Sequence, residues 1–136
     1  MFIPATSKMA KATDDELVGI EQLDNWAQLA FHGTKQLNRI QSAVFDTAYN
    51  TCENMLVCAP TGAGKTNIAM LTFLQLVKQN ISDGMLYMGA IKAVYIAPMK
   101  ALAQEVVAKF GERLKPLRMT AKEFTGGLLD CDYVVT

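Results

Sequence analysis

One eight-residue run constrains this chain more than any other. Ala59-Pro60-Thr61-Gly62-Ala63-Gly64-Lys65-Thr66 follows a short apolar segment and leads straight into a helical pattern. It fits the spacing of the phosphate-binding loop, except that Ala59 stands where the first glycine is usual. Met55 to Ala59 is a continuous apolar run, as expected of a strand buried on both faces. From Thr66 to Gln79, Ile68, Leu71, Phe73, Leu74, Leu76 and Val77 recur at helical spacing. A strand before the loop and a helix directly after it separate a phosphate loop from a chance string. The competing reading is a glycine-rich turn with a surface lysine, and it leaves both flanks unexplained.

Each residue type in the run has a physical task. A triphosphate needs several donors converging on its oxygens. Backbone N–H groups at Gly62, Ala63, Gly64 and Lys65 can supply them, because glycine lets the chain curl and approach closely. The helix that begins near Lys65 adds its positive end. Lys65 brings a full charge to the outer phosphates. The Thr66 hydroxyl is a hard oxygen ligand suited to Mg2+. ATP with Mg2+ is therefore the expected ligand, with Lys65 and Thr66 as the catalytic pair. A phosphate loop alone does not choose among motors, kinases, transporter ATPases and GTPases.

The flanking sequence predicts an α/β layer. Leu23, Trp26, Ala27, Ala30 and Phe31 form one apolar helical stripe, with Gly33 placed to end it. Leu37, Ile40, Val44, Phe45 and Ala48 line a second helix. Asn80 to Gly89 reads as a surface loop. Ala93 to Ala97 is a second apolar strand closed by Pro98. Lys100 to Leu114 is a helix with Leu102, Val106, Phe110 and Leu114 down one side, and Pro116 stops it. Thr120 to Phe124 and Tyr133 to Thr136 read as further strands. Strand and helix alternate as in a parallel sheet covered by helices, with right-handed crossovers. The expected division is a flexible lead-in over 1–12, N-terminal helices over 13–50, and a partial P-loop domain over 51–136.

Composition narrows the alternatives. Among 136 residues, 13 basic side chains balance 13 acidic ones, so no global field favours nucleic acid and any such contact must be local. Cys52, Cys58 and Cys131 form no Cys-x-x-Cys pair, which argues against zinc and fits a reducing compartment. No apolar run reaches the ~18 residues of a membrane span. The first 16 residues lack a secretory core. The expected location is nuclear or cytoplasmic, with no membrane partner.

The runs from 36 to 71 (QLNRIQSAVFDTAYNTCENMLVCAPTGAGKTNIAML) and from 95 to 117 (YIAPMKALAQEVVAKFGERLKPL) carry a family likeness. They closely resemble superfamily 2 DExH helicases of the Ski2-like and spliceosomal large-helicase group. The resemblance implies a RecA-like domain and an ATP-driven motor that moves 3′ to 5′ on nucleic acid, within a multi-protein complex. By this resemblance Gln41 matches the glutamine that reads the adenine edge, which needs one donor and one acceptor. From the residues alone it is equally a solvated helix glutamine. Phe31 matches an aromatic placed against adenine, and it also fits the apolar stripe. Pro98, Met99 and Lys100 match an element that touches the backbone of one nucleic-acid strand. The residues alone favour a strand end with a surface lysine. Thr125-Gly126 matches the start of a further backbone contact, but Gly127 stands where the family has aspartate.

No Asp-Glu-x-His string follows a strand in this sequence. Hydrolysis needs such acidic groups on Mg2+ and near the attacking water. The sequence stops inside an apparent strand, as a cut domain would. The expectation is that these 136 residues alone neither turn over ATP nor unwind a duplex. Two alternatives stay open at this point: a non-catalytic nucleotide-binding or interaction fragment, and a P-loop NTPase of another class.

Overall fold

The structure, a computed structural model, describes residues 17–82, 84–87, 89 and 91–123. Four helices dominate: α1 (Asn25–Gln28), α2 (Arg39–Asn50), α3 (Lys65–Gln79) and α4 (Lys100–Leu114). Two short strands, β1 (Ile81–Ser82) and β2 (Met85–Leu86), lie between α3 and α4.

The first apolar stripe does not make one long helix. It folds as the single turn of α1 and a 3-10 turn over Leu29–Phe31. Asp24 precedes α1 but forms no side-chain cap, because its carboxylate accepts from the Tyr49 hydroxyl and pairs with Lys78. The stripe still buries Leu23, Ala27, Ala30 and Phe31. Gly33, at φ 82°, then reverses the chain, where a Cβ would be strained.

Helix α2 begins at a full capping box. Asn38 accepts from the Gln41 backbone N–H, and the Gln41 side chain accepts from the Asn38 N–H, both at 3.0 Å. Its buried face presents Phe45, Ala48 and Tyr49 to Ile68, Leu71, Leu74 and Val77 of α3. Val106, Phe110 and Leu114 of α4 close the same core. As expected at Pro116, α4 ends at Leu114 and tightens into a 3-10 turn over Lys115–Leu117.

The sheet differs from the expectation. Among the described residues the only sheet is the antiparallel pair β1–β2, with Ile81 opposite Leu86 and Ser82 opposite Met85. Within the 80–89 stretch, expected to be a loop, Ile81–Ser82 and Met85–Leu86 thus pair as a tight hairpin. Gly84 takes φ 73° in its turn, and the Asp-Gly dipeptide at 83–84 is the sequence signal for it. Residues 55–59 and 93–97, expected as strands of a parallel sheet, have no ladder partner among the described residues. Their burial nevertheless alternates. Met55, Val57 and Tyr95 pack on the core, while Leu56, Val94 and Ile96 are 91%, 68% and 86% exposed. This is the period-two signature of extended chain with one face covered. Thr120 to Glu123 is likewise not a strand, and Phe124 and Tyr133–Thr136 lie outside the described residues.

Candidate nucleotide-binding loop

The loop at 59–66 is shaped by two glycines and one lysine. Gly62 and Gly64 take φ 83° and 87°, in the left-handed region that other residues avoid. Gly64 is also the N-cap of α3 and supplies no side-chain cap. The first N–H groups of a helix have no intrahelical acceptor, so those at Lys65 and Thr66 remain for a ligand. Ala63 N–H donates to Pro60 O at 3.2 Å and closes a turn. The Lys65 ammonium folds back over the loop and donates to Ala59 O at 2.7 Å and Pro60 O at 2.9 Å. One cation thus spans the loop from its first residue to the start of the helix.

Two side-chain amides hold the loop from outside. Gln41 Nε2 donates to Gly64 O at 3.1 Å, and Asn38 Nδ2 donates to Ala63 O at 3.0 Å. Gln41 is only 3% exposed. Its Oε1 already accepts from Asn38 N–H, so each end of the amide keeps just one unused valence. A Cβ on Gly64 would press on the Gln41 and Asn38 amides, so a side chain there would displace the tethers as well as strain the backbone.

Phe31 lines a cleft with Asn67 of the first turn of α3. It is buried, and the Arg113 guanidinium covers its ring with Cζ 4.5 Å from the centroid. Arg113 Nε donates to Ala30 O at 2.6 Å and Nη1 to Asn67 Oδ1 at 2.8 Å. One planar guanidinium therefore joins α4, the 29–31 turn and the first turn of α3. Burial pulls its pKa below the ordinary arginine value. These residues line a cleft of about 480 Å3 together with His32 and Thr34. Its size is that of small-ligand pockets.

The proposed nucleic-acid residues lie at another corner. Pro98, Met99 and Lys100 are all exposed, and Met99 is the extended N-cap of α4 with no side-chain cap bond. Thr125 and Gly126 lie outside the described residues. The structure thus joins Gln41 to the 59–66 loop and links Phe31, through Arg113 and Asn67, to the first turn of α3. Asn38, Asn67 and Arg113 were not singled out in the sequence. The Asn-x-x-Gln spacing of 38 and 41 is a capping signal that could have found Asn38. No local pattern announces Arg113, whose partners lie 46 and 83 residues away.

Residues 38–130 match the family model for the DEAD/DEAH box helicases, more than half of the chain. The chain belongs to the DEAD/DEAH box helicase family. It is 55% identical over 128 residues to the DExH-box ATP-dependent RNA helicase DExH14 of Arabidopsis thaliana, covering 94% of this chain. It is 55% identical over 126 residues to Activating signal cointegrator 1 complex subunit 3 of Gallus gallus, covering 93%. The U5 small nuclear ribonucleoprotein 200 kDa helicase of Caenorhabditis elegans is 48% identical over 127 residues, again 93% of this chain. The chain spans about 6% of the length of each of these relatives. A DEAD/DEAH box domain is a RecA-like α/β domain, and the matched stretch takes in the glycine loop, α3 and α4. Membership removes the reading as a P-loop NTPase of another class. Among the described residues no helix is long and apolar enough to cross a membrane.

Proposed function

We propose that this chain builds the ATP-binding face of a helicase motor domain. The observation that carries the reading is the loop itself. Left-handed glycines, the N–H groups at the start of α3 and the Lys65 ammonium come together within one short loop. Those donors suit a triphosphate. Lys65 would exchange its two carbonyl partners for phosphate oxygens, and the Thr66 hydroxyl would ligate Mg2+. The metal would neutralise charge between the outer phosphates. Gln41 orients the loop and offers its remaining donor and acceptor to the base, with Phe31 and Arg113 forming the wall of the neighbouring cleft. Pro98, Met99 and Lys100 would meet the phosphate backbone of one strand.

A parallel RecA-like sheet built on residues 55–59 and 93–97 belongs to the same proposal. The exposed apolar side chains of Leu56, Val94 and Ile96 favour it, because such a face is stable only when covered. The names of the relatives suggest work on RNA within a complex, in a motor larger than the matched stretch. Calorimetric titration with ATP and Mg2+ tests the reading directly. The chain should bind ATP, and Lys65→Ala should weaken binding by about 10- to 100-fold, the worth of a charge-assisted contact. Equal affinity in the two proteins would remove Lys65, and with it this reading of the loop.

A further inference from the structure

We propose that Asn38 is a positioning residue for phosphate binding, and that its amide presets the loop before any ligand arrives. The inference rests on the nucleotide-binding reading above and adds to it a residue outside the loop. Asn38 makes two bonds in opposite senses. Oδ1 accepts from the Gln41 backbone N–H, and Nδ2 donates to the carbonyl of Ala63, both at 3.0 Å. The first bond fixes which end of the amide is oxygen, so the nitrogen must face Ala63.

The geometry of the peptide bond gives the second contact its meaning. In a planar trans peptide the C=O and the following N–H point in opposite directions. Holding the Ala63 carbonyl toward Asn38 turns the Gly64 N–H to the other side of the loop. The adjoining peptide is held in the same way. Gly64 O accepts from Gln41 Nε2 at 3.1 Å and from Asn67 N–H at 3.0 Å, which turns the Lys65 N–H outward from the helix. Two neighbouring donors of the cradle are therefore aimed by two amides of one capping box. Each aimed donor is one the ligand need not reorganise.

Residue chemistry separates this role from simple capping. Serine, threonine and aspartate cap a helix about as well as asparagine. Only asparagine combines the cap acceptor with a donor long enough for a second bond. Asn38→Ser keeps the cap and leaves Ala63 O without its donor. Asn38→Asp keeps the cap and sets an acceptor against an acceptor.

The test is titration of the wild-type chain, Asn38→Ser and Asn38→Asp with ATP and, separately, GTP, beside thermal melts of all three. Asn38→Ser should melt close to wild type and bind both nucleotides about five- to tenfold more weakly, the loss of one hydrogen bond. Asn38→Asp should lose more, since its carboxylate also repels phosphate. The factor should be the same for ATP and GTP, because Asn38 holds the loop and touches no base. Unchanged affinity in both variants overturns the inference, and so does a loss confined to ATP. A fall in melting temperature with affinity intact reduces Asn38 to a helix cap and also overturns it. If wild type binds neither nucleotide, the reading of the loop itself fails.

Discussion

Two corners of this chain start from nearly the same sequence and end as different devices. Ala59-Pro60 and Ala97-Pro98 each close an apolar run, and each leads to a 15-residue helix whose first residue is lysine. At the first corner Thr61, Gly62, Ala63 and Gly64 intervene, and the chain curls through two left-handed glycines. Lys65 bridges back to the loop, and Asn38 and Gln41 grip it from α2. At the second corner only Met99 intervenes. The backbone stays extended into the helix, with no cap from a side chain. A helix N-terminus with a lysine is thus common to both. What sets the first apart, and underlies its proposed role as the nucleotide cradle, is the extra curled loop and the outside amides that hold it.

The sharpest way to break that contrast is to put a Cβ on the curled loop. Gly64→Ala forces alanine to φ 87° and drives its methyl toward Gln41 Nε2. The backbone alone costs about 1 kcal/mol. The displaced tether and misaimed N–H groups should take ATP binding below detection in the same titration. Gly111→Ala is the matched control. Gly111 lies inside α4 with open space around it, so alanine should stabilise the chain by about 0.5–1 kcal/mol and leave ATP affinity alone. Normal ATP binding by Gly64→Ala would mean that the curl is dispensable.

Arg113 joins the helix of the second corner to the helix of the first. Arg113→Met keeps an unbranched apolar side chain but removes the guanidinium from the Phe31 ring and leaves Ala30 O and Asn67 Oδ1 without their donor. Loss of these charge-assisted bonds should cost about 2–3 kcal/mol in denaturant unfolding. Arg113→Lys should recover little, because a single ammonium cannot match a planar fork that serves two acceptors. A cost under about 0.5 kcal/mol would show that the corners are held together by apolar packing alone.

How much of this was legible in the sequence differs between the corners for physical reasons. The curl of the glycine loop and the helix after it were legible, since two glycines ahead of a helix start set that backbone path. Helices α2, α3 and α4 were legible from apolar periodicity, because each buries one stripe in a shared core. The first stripe announced the burial of Leu23, Ala27, Ala30 and Phe31, but the helical stretch is short and tightens into a 3-10 turn over Leu29–Phe31 before Gly33. The apolar runs at 55–59 and 93–97 announced extended chain, and the alternating burial agrees. Sheet pairing could not be read from them, because pairing is a relation between segments. Gln41, expected at the adenine edge, also tethers the loop through its bond to Gly64 O. Its burial depends on the Gly64 carbonyl, which no pattern within α2 reveals.

The far end of α2 offers a control for tethers as such. There Tyr49 donates to Asp24 at 2.5 Å, and Lys78 lies 3.2 Å from the same carboxylate and over the tyrosine ring. The Tyr49 hydrogen bond, then Lys78, hold the Asp24 carboxyl below its ordinary 3.8. Burial, then the bond to Asp24, push the Tyr49 hydroxyl far above 10.0. The signs set the window. The depressed Asp24 stabilises the fold above pH 3.8 and loses that contribution as pH falls through its folded value. The raised Tyr49 stabilises the fold below pH 10 and loses its contribution as pH rises beyond. Tyr49→Phe should cost about 1 kcal/mol near neutrality and flatten both arms of the stability–pH curve, with ATP affinity unchanged. A change in ATP affinity would mean that tethers act on the loop through the whole length of α3, and the special standing of Asn38 and Gln41 would go.

The smallest expected effect lies at the second corner. Lys100 is exposed, and its charge has the helix N-terminus beside it. If this corner meets a phosphate of a single strand, Lys100→Ala should weaken binding only a few-fold at moderate salt. The informative quantity is the slope of log affinity against log salt, which should fall in magnitude by about 0.7, the share of one phosphate contact on a single strand. ATP affinity should not move. The reciprocal experiment completes the contrast, since Lys65→Ala should leave the salt slope for nucleic acid intact while weakening ATP binding. If Lys100→Ala weakens ATP and Lys65→Ala changes the salt slope, the two corners form one site and the division between them is wrong. If each lysine moves only its own ligand, then similar Ala-Pro corners have diverged through four intervening residues and two external amides.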